Sequence, residues 1–167
     1  MTLAELNALS DARAAEELAR CCGCARWARV VAAGRPYASK EALLAAAERE
    51  WSRTSPQEWL EAFAHHPRIG GKDALREKFA ATRTWSQGEQ ASVAAADEAV
   101  LDELARGNAD YEARFGFIFI VCATGKSAAE MLTLLRRRLP HTREQELAVA
   151  AGEQAKITRI RLEKLLS

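Results

Sequence analysis

Glycine and proline are scarce, nine and four residues in 167, under a tenth of the chain where average usage is roughly 12%. With so few turn formers and so much alanine, the chain points to helices. Charge of one sign is also missing: 24 Lys and Arg against 23 Asp and Glu leave a net +1. No overall field therefore draws nucleic acid or an acidic membrane. Long apolar runs are absent as well. The longest, residues 115–124, falls far short of the ~20 residues that span a bilayer. The first residues carry Glu5, Asp11, Glu16 and Glu17 rather than a charged-then-apolar signal pattern. Leu165-Leu166-Ser167 is not a peroxisomal address. Cysteine is limited to Cys21, Cys22, Cys24 and Cys122, which without a secretion signal read as reduced thiols. A cytoplasmic location is expected.

What is present is ordinary for a globular protein: 49% hydrophobic and 28% charged residues, enough for one domain with a sizeable core. Helix starts are legible. Thr2–Glu5, Ser55–Glu58, Ser86–Glu89, Ser127–Glu130 and Thr142–Gln145 each place Glu or Gln three residues after a hydroxyl. The hydroxyl then accepts from a free backbone N–H while the longer side chain reaches back. Pro56 follows Ser55 at the first helical position, where its missing N–H costs nothing. Stops are expected at Gly34-Arg35-Pro36, Pro67, Gly107, Gly116 and Pro140. These signals predict helices over 3–9, 11–22, 24–33, 40–52, 56–65, 87–106, 109–115, 128–139 and 143–166, with a short helical turn over 72–80. Residues 117–122 are strand-like but alone, so they read as a buried extended connector. The expected fold is a single-domain, all-α bundle of about eight to nine helices.

Three motifs imitate function. Thr124-Gly125-Lys126-Ser127 suggests a phosphate loop, but Ile120 stands where that loop needs its first glycine. It reads as a helix cap with a solvated lysine. Cys21-Cys22-Gly23-Cys24 contains C-x-x-C without two further ligands at zinc spacing, so these thiols read as small hydrophobes. Arg136-Arg137-Arg138 point in three directions on a helix and read as a solvated helix end.

Polar residues on apolar stripes are more informative. Glu89 lies on the stripe of Val93, Ala96 and Val100; Arg161 lies on that of Ile157 and Leu165; His66 continues the line of Trp59 and Phe63. Alone, each has a bland explanation: a capping carboxylate, a snorkelling arginine, a satisfied histidine. Together they should pair or surround a polar cavity, because burial without a partner costs several kcal/mol each. An imidazole and a carboxylate supply acid–base groups, and a guanidinium holds an anion or a carbonyl-rich ring. Ser86 and first-turn amides offer a helix N-terminus to the same ligand. This reasoning reaches a small polar cleft, either of an enzyme or of a non-catalytic helical module that binds an anion or partner helix.

The ordered motifs narrow it. Cys21-Cys22-Gly23, Arg26-Trp27-Ala28 and Arg35-Pro36-Tyr37 are followed by His66-Pro67-Arg68-Ile69-Gly70 and Ser86-Gln87-Gly88-Glu89-Gln90. Asn108 through Tyr111 to Arg114-Phe115-Gly116-Phe117 and Lys156-Ile157 to Arg161-Leu162 complete the set. No single motif is specific, but in this order they resemble the 2-oxo-4-hydroxy-4-carboxy-5-ureidoimidazoline (OHCU) decarboxylases over nearly the whole chain. The resemblance implies an all-α homodimer that converts this substrate to (S)-allantoin without metal or organic cofactor. It implies His66 and Glu89 as catalytic, and Pro67, Ser86, Gln90, Phe117, Ile118, Ile120 and Arg161 as substrate-binding. Ile118, where many members have proline, and Arg68, where an acidic residue is common, depart from the pattern.

Overall fold

The structure is a computed structural model that describes residues 1–68, 71–80 and 90–167, with side chains of the last stretch from residue 97 onward. Its described residues form nine helices and no strand: α1 (Leu3–Ala8), α2 (Asp11–Cys21), α3 (Ala25–Ala33), α4 (Lys40–Trp51), α5 (Pro56–Ala64), α6 (Lys72–Ala80), α7 (Gln90–Phe115), α8 (Ala128–Arg138) and α9 (Arg143–Leu165). The all-α expectation holds.

The predicted caps are present wherever the residues are described. Reciprocal capping boxes close the starts of α1, α5 and α8. Thr142 and Gln145 do the same for α9, at 2.9 and 3.2 Å. The pair Ser86–Glu89 lies outside the described residues.

Contacts divide the chain into two compact units. The first comprises Met1–His66, Ile120–Cys122 and Leu147–Ser167; the second comprises Pro67–Phe119 and Ala123–Glu146. In the first unit, stripes at three- and four-residue spacing bury Ala14, Leu18 and Cys21 on α2 and Trp27, Ala28 and Val31 on α3. The indole of Trp27 donates to Ala47 O at 2.9 Å, and that of Trp51 to Ala151 O at 3.0 Å. Both rings are thus buried without orphaning their N–H groups. Arg35 fills the predicted stop after α3. Its guanidinium donates to the carbonyls of Ala32, Leu6 and Leu9 and to the Asp11 carboxylate, at 2.7–2.8 Å. Those carbonyls lie at or just past helix C-termini, where the regular ladder of intrahelical bonds runs out; Leu6 O and Ala32 O also accept the Leu9 and Arg35 amides at 3.3 Å.

In the second unit, α6, α7 and α8 bury Leu75, Phe79, Leu101, Leu104, Met131 and Leu135. Three expectations are corrected here. Residues 72–80 form a full helix rather than a turn. Gly107 does not stop a helix: the segments expected at 87–106 and 109–115 are one helix that runs through it. A Cβ at Gly107 would lie 2.4 Å from Leu135 Cδ2 on α8, so this glycine serves close helix approach.

Arg138 is the third correction. It is buried, not solvated, because it continues the α8 stripe of Met131 and Leu135. Its guanidinium pairs with Glu146, which is itself 0% exposed. The Tyr111 hydroxyl donates to Glu146 at 2.5 Å, and His141 Nδ1 lies 2.9 Å from the second carboxylate oxygen. The cation also stands over the Phe119 ring, 4.6 Å from its centroid. This network satisfies a carboxylate whose burial alone would be costly.

Candidate active site

His66 follows the end of α5, its amide donating to Phe63 O at 3.1 Å. The preceding residue sets its place. His65 ends α5, and a Cβ at Gly23 would meet His65 Cβ and Cγ at 2.4 Å, so only glycine admits this approach. His65 itself is exposed. His66 is half-buried, in line with buried Phe63 and half-buried Trp59.

The His66 ring meets α9. Its Nε2 lies 2.6 Å from Gln154 Oε1, and the Gln154 amide nitrogen donates to Thr158 Oγ1 at 3.1 Å. Gln154 is 0% exposed and Thr158 is buried. The Thr158 side chain also acts on the thiol of Cys22, just past α2, lowering its pKa against the larger effect of burial. Arg161, one turn beyond Thr158, is half-buried and donates to Cys21 O at 3.3 Å.

The electrostatics favour neutral groups. Burial holds the His66 imidazole below its ordinary 6.5, and the charges of Arg161 and His65 press the same way against the opposing Gln154 hydrogen bond. Burial pushes the Cys21 thiol up to about 11 and that of Cys22 up to about 12. Both are protonated thiols at neutral pH, which suits a packing role rather than nucleophilic chemistry. All four cysteines are free and buried.

Of the predicted site residues, His66, Arg161 and buried Ile120 fall in the first unit. Pro67, Gln90, Phe117 and Ile118 belong to the second. There, Phe117 is buried in an aromatic cluster, 5.8 Å from the Tyr111 ring and 6.1 Å from that of Phe115. Its side chain is core, so any ligand contact falls to its backbone. Ile118 is half-buried and lines a cavity of about 330 Å³ with Arg68, Asn108 and Glu112. Arg68 pairs with Glu112 at 2.5 Å. Pro67 is exposed. Gln90 opens α7, its side chain outside the described residues; Ser86 and Glu89 lie outside them altogether.

The residues 118–123 carry no helix or strand. Phe119, Ile120 and Cys122 are buried, and the Cys122 amide donates to Glu153 at 2.8 Å, in keeping with the predicted buried connector. Sequence reasoning missed Gln154. It lies seven residues after Leu147 and four after Ala150, both buried, so it too is a polar residue on the α9 apolar stripe.

The arrangement is that of a helical protein holding a neutral imidazole near a guanidinium, a set suited to proton handling on a small anionic ligand. Comparisons with known proteins carry the assignment further. The sequence profile of OHCU decarboxylase matches residues 7–163. The chain is 39% identical over 149 residues to the uric acid degradation bifunctional protein TTL of Arabidopsis thaliana, covering 88% of this chain and 45% of that protein. It is 33% identical to the 2-oxo-4-hydroxy-4-carboxy-5-ureidoimidazoline decarboxylase of Amia calva, covering 83% and 79%. A crystal structure of OHCU decarboxylase in the presence of (S)-allantoin superposes with a TM-score of 0.72 at 35% identity, over 90% of this chain and 96% of that one. The chain belongs to the OHCU decarboxylase family.

Proposed function

We propose that this protein decarboxylates 2-oxo-4-hydroxy-4-carboxy-5-ureidoimidazoline to (S)-allantoin, the last step of urate degradation to allantoin. The relatives' names and the family support the reaction. The observation that carries the site is the half-buried His66, held below its ordinary pKa with Arg161 acting on it.

The chemistry is self-sufficient. Breaking the bond to the carboxylate releases CO2 and leaves an electron pair, which the adjacent ring C=N accepts. The ring nitrogen takes up a proton, and the resulting enol loses its 4-hydroxyl proton to become the carbonyl as the former C=N carbon is protonated; delivery from one face gives a single enantiomer. No external electron sink is required. In this reading His66, tuned by Glu89, meets the 4-hydroxyl and carboxylate and handles protons. Arg161 and Gln90 hold the carbonyl-rich ring and ureido arm, Ser86 and first-turn amides assist, and Pro67 with the backbone of Phe117, Ile118 and Ile120 completes the binding surface. The protein works as a homodimer in the cytoplasm, and no described helix is long and apolar enough to cross a membrane.

The substrate is unstable and also loses CO2 unaided, giving racemate. Urate, a urate oxidase and 5-hydroxyisourate hydrolase generate it in situ, and circular dichroism follows the product. With this protein, optically active (S)-allantoin appears rapidly; His66→Asn leaves only slow racemate while the helical spectrum is retained. Racemate at the uncatalysed rate with the unmodified protein would overturn the reading.

A further inference from the structure

The mechanism above leaves open which ring nitrogen of His66 carries its proton, and an imidazole offers its base on one nitrogen only when the other is protonated. The bond between His66 and Gln154 bears on this choice. The Gln154 side chain has one acceptor and one donor end. Its donor end is taken by Thr158 Oγ1 at 3.1 Å, which turns its carbonyl oxygen toward His66 Nε2 at 2.6 Å. A carbonyl oxygen cannot donate, so the shared proton sits on Nε2. Among the described residues, Nδ1 of His66 has no hydrogen-bond partner.

We infer that Gln154 is a positioning residue, buried behind the reaction centre, that holds neutral His66 as the Nε2–H tautomer and so leaves Nδ1 as the bare nitrogen presented to substrate. The inference rests on the proposed function for what His66 does, but the tautomer itself is a property of the resting protein. An amide suits this role better than a carboxylate. It orients the ring as an acceptor without the negative charge that would stabilise imidazolium. The charged or titratable groups acting on His66 among the described residues are Arg161 on α9 and His65 just past α5, and both oppose protonation; Glu89, which the proposed function sets beside His66, lies outside them. Gln154 is thus the group that can be exchanged for an ionised one without altering the length of the bond path.

The test is a long-range proton–nitrogen correlation spectrum of histidine-labelled protein above pH 7.5, with His66 assigned by its absence from His66→Asn. The expected pattern is a protonated Nε2 and an unprotonated Nδ1. Gln154→Leu should give a mixture of the two tautomers and a kcat that falls more than tenfold with KM changed less than threefold. Gln154→Glu, of nearly the same shape, should keep the Nε2–H tautomer and raise the His66 midpoint by at least one pH unit. If Gln154→Leu fails to fold, Gln154→Glu decides alone. A protonated Nδ1 in the unmodified protein would mean that the amide faces the other way and overturn the inference. So would a Gln154→Glu variant whose His66 midpoint does not move. The tautomer and midpoint readouts need no substrate, so failure to form (S)-allantoin would count against the proposed reaction and leave the tautomer result standing.

Discussion

At the scale of single residues, His66 is defined by what keeps it uncharged. Its imidazole is held below 6.5 chiefly by burial. The sign follows: the unfolded chain takes up a proton as pH falls through 6.5 while the folded protein does not. Folding stability contributed by this residue is therefore present above 6.5 and lost as pH falls from there toward the lower folded value. Activity follows the folded value. We expect the acid limb of kcat/KM to have its midpoint below 6.5, read from initial rates of (S)-allantoin formation at constant ionic strength. A midpoint above 6.5 would show that a carboxylate, Glu89 in the proposed site, outweighs burial and the charge of Arg161. His66 and Arg161 were legible in the sequence because each interrupts an apolar stripe. Gln154 obeys the same rule and was missed because an amide attracts less notice than a charge. Arg138 was misread for a related reason: three consecutive arginines resemble a solvated cluster, yet only one of them falls on the stripe of Met131 and Leu135.

At the scale of elements, local chemistry announced the helix starts because a capping box is a reciprocal bond between residues three apart, wholly contained in the sequence. Gly107 was illegible for the opposite reason, since its role depends on α8, more than twenty residues away. This makes a testable distinction. A glycine that merely interrupts a helix should be improved by alanine, by about 1 kcal/mol. Here the new methyl meets Leu135, which is 0% exposed and has little room to yield. Overpacking of this kind costs roughly 1–3 kcal/mol, so Gly107→Ala should destabilise by about 1 kcal/mol net of the propensity gain. In a Leu135→Ala background the obstacle is gone, and the same substitution should stabilise by about 1 kcal/mol. Urea midpoints of the four proteins give the coupling directly. An equal cost in both backgrounds would show that Gly107 does not serve the contact with Leu135.

At the scale of the whole molecule, α9 belongs to both compact units: its first turn, through Glu146, to the second, and the remainder, with Gln154, Thr158 and Arg161, to the first. Glu146 is the acidic centre of the Tyr111–Arg138–His141 network. Replacing it by alanine leaves Arg138, 7% exposed, buried without its carboxylate, a loss that typically costs ~3–5 kcal/mol. Helix propagation is cooperative, since each turn templates the next, so damage to the first turn of α9 should not stay in the second unit. Three of the four tryptophans, Trp27, Trp51 and Trp59, lie in the first unit, and Trp85→Phe makes fluorescence report that unit alone. In this background Glu146→Ala should lower the urea midpoints of fluorescence and far-ultraviolet ellipticity together, in a single transition. Fluorescence that keeps its original midpoint while ellipticity splits into two steps would show that the units unfold separately, and that the helix carrying Gln154 and Arg161 draws nothing from the buried carboxylate at its start.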